Sequence, residues 1–167
     1  SVLREPALAK EHPQRGAILL HALQRQARKD PAKAVEMWAR LERKHAFDAA
    51  QSRAAERSLA LSLAQAEHPQ ALRWLDASEP AADDERLQEK RILTAVSVGD
   101  WQRASDWIDA LPREQSDAER WRYWKARSLA ELGRQSDAEV VYRRLAEERS
   151  YYGFLAADRI GAPYNLH

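Results

Sequence analysis

Apolar residues recur along this chain with the spacing of α-helices, and one arrangement of them occurs twice. Each copy has a glycine, then an alanine five, a large apolar residue nine and a leucine twelve positions later. The copies consist of Gly99, Ala104, Ile108 and Leu111, and of Gly133, Ala138, Tyr142 and Leu145. The two glycines are 34 residues apart. A period in the thirties, in which glycine ends one helix and a small residue opens the next, is typical of stacked helical hairpins.

The small position of this pattern can be followed through most of the chain. It falls at four alanines, with spacings of 37, 33 and 34 residues: Ala34, Ala71, Ala104 and Ala138. Apolar periodicity predicts helices at about 14–29, 48–66, 85–98, 101–111, 118–132, 137–148 and 150–161, with others around Trp38 and Leu75. No segment alternates with the period of a strand. We therefore predict an all-α superhelix, or solenoid, of about four stacked hairpins plus a final helix, forming a single domain over residues 1–167.

Residues with known capping chemistry indicate where these helices begin and end. Asp30, Asp48, Asp100 and the Ser136–Asp137 pair are expected to offer side-chain oxygens to the unpaired N–H groups of the first turn. Gly99 and Gly133 suit the C-cap, where a positive φ is needed. Near the N-terminus, Pro6–Glu11 is expected to form either one short turn or the end of a helix that begins before this chain. A break is expected at His12–Pro13, because the residue before proline avoids the helical region.

Composition excludes several classes of function. The 27 basic and 26 acidic residues nearly cancel, which argues against a nucleic-acid partner, since such proteins show a basic stripe. No run approaches the ~20 apolar residues of a membrane span. Cysteine is absent and the five histidines are scattered, so no metal site or cofactor is expected. The acidic run Asp83–Asp84–Glu85 is a candidate general acid by charge density alone, and a solvated N-cap is the simpler interpretation.

The repeat resembles the tetratricopeptide repeat, whose second helix begins with an alanine five residues after a glycine. Ala126, seven residues before Gly133, suits the small position in the first helix of that motif. Other copies depart from it, because Ile92 replaces the small residue and the first two hairpins lack the glycine. This TPR-like pattern keeps a second class of function open, a free-standing adaptor that binds peptides or proteins in its groove.

Two longer motifs carry a closer resemblance. The first is W-R-Y-W-x-A at Trp121–Ala126, and the second is Y-Y-G-x-x-A-A-x-R-x-G at Tyr151–Gly161. In this order and at about this separation, they resemble the end of the helical superhelix of periplasmic soluble lytic murein transglycosylases. Asp30–Pro31 and Trp38–Leu41 fit the same family.

The resemblance implies a role in cell-wall metabolism. Enzymes of that family cleave the MurNAc–GlcNAc bond of peptidoglycan to a 1,6-anhydro product, without a metal or cofactor. Their catalytic glutamate lies in a Glu-Ser pair of a separate domain, and this chain has no adjacent Glu-Ser pair. The resemblance therefore implies a periplasmic scaffold without catalytic residues. It would help to hold glycan strands, and residues 162–167 would begin a linker to a downstream catalytic domain.

The candidate glycan contacts are Arg120, Trp121, Trp124 and Arg127. Indole rings stack on sugar faces, and arginine binds the carboxylates of peptidoglycan stem peptides. The competing interpretation is that Trp121 and Trp124, three residues apart, pack between repeats, and that the arginines are solvated. Tyr123 is expected to point elsewhere.

Further residues are assigned to packing or to partners. Ala34, Ala71, Ala104, Ala138, Ile108, Leu111, Tyr142 and Leu145 are predicted to pack the repeats together. Tyr151, Tyr152 and Phe154 are predicted either to pack the final helix or to dock the downstream linker and catalytic domains. An open solenoid end exposes apolar surface, so self-association is also expected.

Overall fold

The computed structural model describes residues 14–166, and within this range all regular structure is helical. The helices are α1 (Arg15–Lys29), α2 (Pro31–Lys44), α3 (Ala49–Gln65), α4 (Ala71–Ala77), α5 (Glu85–Ser97), α6 (Trp101–Asp109), α7 (Arg113–Ser116), α8 (Glu119–Glu131), α9 (Gln135–Ala146) and α10 (Tyr151–Ile160). The predicted all-α class is confirmed. The turn over Pro6–Glu11 and the break at His12–Pro13 lie outside the described residues.

One helix, α7, was not predicted from the sequence. It is a single turn that starts after Pro112, between α6 and α8. Its four residues are too few to show a helical period, and none of them is buried. The helix predicted over 101–111 is shorter in the structure, where α6 ends at Asp109.

Aspartates cap four of the helices in the way the sequence indicates. Asp30, Asp48 and Asp100 each accept a hydrogen bond from the backbone N–H three residues later, at 3.1, 2.7 and 3.0 Å. Asp84 does the same for α5, at 3.3 Å from Leu87 N. The acidic run at 83–85 therefore contains a helix cap.

The predicted cap at Ser136–Asp137 is wrong. Helix α9 begins at Gln135, and its N-cap, Arg134, makes no side-chain capping bond. The cause lies in the end of α8, where Arg134 N donates to Leu129 O at 2.8 Å while Gly133 takes a φ of +81°. This hydrogen bond and the positive φ form a C-terminal closure of α8, after which the next helix begins without an intervening loop. Asp137 therefore lies in the first turn of α9 and pairs with Arg134 at 2.7 Å.

The same closure occurs where the sequence has no glycine. After α3, His68 N donates to Leu63 O at 2.9 Å, and Glu67 takes the left-handed conformation with a φ of +52°. Gly99 fills the equivalent position after α5, with a φ of +74°. The glycine that the second hairpin lacks is thus replaced by an acidic residue in the glycine conformation, which costs roughly 1–2 kcal/mol for a residue with a Cβ.

The helices form two compact units, one up to Pro80 and one from Ala81 onward. In the first unit, α1 packs on α2 and α3, and α3 packs on α4. Its core includes Leu23, Trp38 and Leu59, and the ring of Trp38 lies 5.0 Å from that of Phe47. The organisation of residues 1–167 as a single domain stays a prediction.

In the second unit, α8 is the central helix. It packs on α6, α9 and α10, while α5 packs on α6. The core of this unit contains Tyr123, Ala126, Leu129, Ala138, Tyr142, Leu145 and Ala156. Gly153 lets α10 lie close to the end of α9, because a Cβ there would collide with Glu148 O and lie 2.9 Å from Leu145 O.

The eight residues assigned to repeat packing are all buried. Exposure is 2% or less at the four alanines of the repeat, Ala34, Ala71, Ala104 and Ala138. The large apolar positions Ile108, Leu111, Tyr142 and Leu145 are at most 7% exposed. The small and the large positions of the repeat pattern thus both lie in the interior, and their packing between repeats stays a prediction.

Replacing Ala138 with arginine is expected to lower the free energy of unfolding by at least about 1–3 kcal/mol, because a long side chain would overpack a fully buried position. Chemical denaturation measures this. The control is Val140→Arg, which lies on the same helix but is 54% exposed and should change stability by less than about 0.5 kcal/mol. Equal stability of the two variants would contradict the packing described for Ala138.

Replacing Glu67 with glycine is expected to raise the free energy of unfolding by about 0.5–1 kcal/mol, because glycine adopts a positive φ without a Cβ clash. The reciprocal variant, Gly133→Ala, should lower it by about 1 kcal/mol, although open space surrounds that position. Thermal unfolding of both variants at neutral pH distinguishes the two directions. A destabilised Glu67→Gly variant would rule out the left-handed conformation at this residue.

Candidate functional site

All four candidate contacts lie on α8, and the fold holds this helix by charged side chains on three sides. Arg120 Nη1 lies 3.2 Å from Glu89 Oε1 of α5. Lys125 Nζ lies 2.7 Å from Asp109 Oδ2 and donates to Ser105 Oγ at 2.6 Å, both on α6.

The third contact joins α8 to the segment between α9 and α10. Arg122 donates two hydrogen bonds to the carboxylate of Glu148, at 2.6 and 3.0 Å. The hydrogen bond from Arg122 lowers the pKa of Glu148 below its ordinary value. The position of α8 in this unit therefore depends on ion pairs as well as on packing.

Trp121 is buried, with only 4% of its surface exposed. The guanidinium of Arg120 lies over its ring, 4.3 Å from the ring centroid. Since Arg120 is also paired with Glu89, the indole face is covered by a cation that is itself held in place. A sugar therefore cannot stack on this face unless Arg120 moves.

Arg120 and Trp121 instead line a partly open hollow of about 190 Å³. The remaining lining residues come from α5, from the segment around α7 and from the start of α8: Glu85, Gln88, Glu89, Leu111, Gln115 and Ala118. Sequence reasoning did not find this site. Its one sequence signal is the spacing of Glu85, Gln88 and Glu89, which places all three on one face of α5.

Gln88 is the polar residue buried deepest in this lining, at 6% exposure. Its Nε2 donates to the backbone oxygens of Ala81 and Ala82, at 3.3 and 3.2 Å. Gln115 Nε2 also donates to Ala82 O, at 3.3 Å. The Oε1 atom of Gln88 is buried and has no hydrogen-bond partner among the described residues. A buried acceptor left in this state is costly, and a ligand with an N–H group would satisfy it.

Trp124 and Arg127 lie elsewhere on the second unit. Trp124 is partly buried against the core, with its ring 5.3 Å from that of Tyr123. Arg127 lies 5.6 Å from the centroid of the Trp101 ring, and its Nη2 lies 3.4 Å from Glu131 Oε1. Of the four candidates, Arg120 and Trp121 are the two that line the hollow.

Tyr123 is buried in the core, where its ring lies 6.2 Å from that of Tyr142 and 5.7 Å from that of Tyr152. Burial raises the pKa of Tyr142 to about 12, and its hydroxyl group has no hydrogen-bond partner among the described residues. These rings hold the last hairpin and α10 together.

The three residues assigned to docking have different surroundings. Tyr151 is 69% exposed. Tyr152 is partly buried against the core, and the ring of Phe154 lies 5.3 Å from that of Tyr164. Tyr151 is thus the one of the three that offers most of its ring to a partner.

The described carboxylates with shifted pKa values differ from a general acid. The pKa of Asp100 is lowered, first by the backbone N–H of Arg103, and that of Glu148 is lowered by Arg122. A general acid in glycoside cleavage needs a raised pKa.

No group of three His, Asp or Glu side chains in residues 14–166 is arranged to hold a metal ion. No helix in this range is long and apolar enough to cross a membrane.

Comparisons with known proteins agree on one relationship. No protein-family model matches the chain. The soluble lytic murein transglycosylase of Escherichia coli K12 is 34% identical over 94 residues, which cover 56% of this chain and 15% of that protein. An inactive mutant of the lytic transglycosylase Slt from Pseudomonas aeruginosa superposes with a TM-score of 0.85 and 33% identity. This match covers 93% of this chain and 25% of that one.

A second solved structure, the 70 kDa soluble lytic transglycosylase of Escherichia coli, gives a TM-score of 0.71 and 26% identity. It covers 95% of this chain and 26% of that one. The chain thus spans about a quarter or less of the length of the proteins it matches. Sequence and fold together show that the chain is homologous to part of the soluble lytic murein transglycosylases.

Proposed function

We propose that this chain is a non-catalytic superhelical scaffold of a periplasmic peptidoglycan lytic transglycosylase. It helps to hold glycan strands and supports the catalytic domain, which cleaves MurNAc–GlcNAc bonds to 1,6-anhydro products. The observation that carries this proposal is the superposition on a lytic transglycosylase over 93% of the chain, with 33% identity. Agreement in fold and sequence over nearly the whole chain favours a shared structural role.

A non-catalytic role is supported by the chemistry of the chain. It has no adjacent Glu-Ser pair, in which the catalytic glutamate of this family lies. Asp100 and Glu148, whose pKa values are lowered, also lack the raised pKa that a general acid needs. Catalysis is therefore assigned to a separate domain.

A role in holding glycan is supported by the polar hollow beside α8. It combines carboxylates and side-chain amides with a few apolar side chains, and proteins use such groups to bind sugar hydroxyls and small apolar substituents. The ion pair between Arg120 and Glu89 joins two walls of the hollow, which belong to α8 and α5. Such a preformed surface binds at a lower entropic cost than a flexible one.

A support role for the catalytic domain is favoured by Tyr151. Its ring is largely exposed, and it packs edge-on against Tyr152, which is anchored in the core. An exposed aromatic ring on a rigid base is the type of residue that dominates protein interfaces. Linker and catalytic domains are therefore the partners that this end of the unit is proposed to contact.

The test is co-sedimentation of the purified chain with murein sacculi, followed by mass spectrometry of the supernatant. We expect the chain to sediment with sacculi and to release no anhydro-muropeptides, because it contributes contacts but no general acid. Insoluble cellulose, which lacks N-acetyl groups and stem peptides, is the control surface and should retain markedly less protein.

Two outcomes would contradict the proposal. Release of anhydro-muropeptides by the chain alone would make it an enzyme. Failure to sediment with sacculi, combined with tight binding of a protein or peptide in the groove, would favour the free-standing TPR-like adaptor instead.

A further inference from the structure

We propose that the hollow lined by Gln88, Glu89 and Trp121 binds the acetamido group of an N-acetylated amino sugar. This inference rests on the proposed glycan-holding function and specifies which chemical group is recognised, and where. It locates recognition at one small site at α5 and α8, away from the exposed aromatic rings.

The buried amide of Gln88 provides the central polar contact. Its Nε2 is already engaged with the oxygens of Ala81 and Ala82, so the side chain cannot turn over without losing both hydrogen bonds. Its Oε1 is thereby held as an acceptor without a partner among the described residues. An acetamido N–H is a neutral donor that satisfies this acceptor without bringing a second charge into a buried place.

The rest of the lining complements the remainder of such a sugar. Glu85 and Glu89 are carboxylates with spare lone pairs, even though Glu89 accepts from Arg120, and they can accept from ring hydroxyls. Leu111, Ala118 and the part of Trp121 that lines the hollow provide apolar surface for the acetyl methyl group. Hydrogen-bond acceptors and apolar groups are therefore present in one place.

The size of the hollow favours a substituent over a whole strand. At about 190 Å³ it is smaller than the roughly 300–1,000 Å³ clefts that enclose complete small-molecule ligands. A single acetamido group with the adjoining ring edge suits this volume, while the rest of the glycan would lie outside.

Charge distinguishes this ligand from the acidic stem peptides of peptidoglycan. The lining contains two carboxylates, Glu85 and Glu89, and one guanidinium, Arg120, which is already paired. A carboxylate ligand would meet a net negative lining and be repelled. A neutral acetamido group meets no such repulsion.

The test is an NMR titration of the full chain with chitotriose, a trimer of N-acetylglucosamine, with maltotriose as the sugar control. Chitotriose should shift the Trp121 indole N–H and the side-chain amides of Gln88 and Gln115 in a saturable way. Maltotriose, which has no acetamido group, should leave them unchanged at the same concentration.

A pair of matched variants locates the binding. Ala118→Trp fills the mouth of the hollow from an exposed position and should weaken chitotriose binding at least about tenfold. Ala110→Trp adds the same ring at an exposed alanine outside the lining and should bind like the wild type. Circular dichroism of both variants verifies that they are folded.

Sacculus co-sedimentation of the same proteins separates this inference from the proposed function. If the wild type sediments with sacculi but chitotriose shifts none of these resonances, or Ala118→Trp binds it unchanged, the acetamido site is wrong and the scaffold role stands. If chitotriose binds in the hollow but the wild type does not sediment with sacculi, the acetamido site stands and the proposed function fails.

Discussion

The second unit depends on one constraint: α8 has to fit among α6, α9 and α10 at once. Its buried residues cover more than half of its circumference, and the narrower face that remains carries Arg120, Arg127 and Glu131. Small residues make this possible, since Ala126 and Ser128 are fully buried where neighbours come close. Ser128 can be buried because its hydroxyl donates to Trp124 O at 2.8 Å, which leaves no unmet polar group.

The same packing determines the role of the positively charged side chains on α8. Arg120, Arg122 and Lys125 each reach a carboxylate on a different part of the unit, and two arginines, Arg120 and Arg127, cover tryptophan rings. Side chains that look like ligand contacts in the sequence are therefore used first to orient the helix. The space between these side chains remains accessible to a ligand. For this reason the proposed recognition takes place in the hollow and not on an exposed tryptophan ring.

The fold was largely predictable because its determinants are local. A glycine and an alanine at fixed separation define where one helix ends and the next packs, and Asp30, Asp48 and Asp100 mark helix starts by chemistry that acts over three residues. The features that were not predicted from the sequence have different causes. Helix α7 is too short to show a helical period of apolar residues. Glu67 adopts the positive φ that is usual for glycine, which its residue type does not predict. The hollow draws residues from α5, the α7 segment and α8, so only the tertiary structure brings Gln88 and Trp121 together.

Gly153 places a strict limit on the variation that the chain can accept. A single methyl group at this position would collide with the backbone oxygens of Glu148 and Leu145, and a backbone atom cannot rotate away as a side chain can. Neighbouring exposed positions on α10, such as Tyr151 and Asp158, have no comparable restriction. Natural sequences that carry a larger residue here must therefore seat their last helix differently, so this one position marks which homologues share the geometry of the junction.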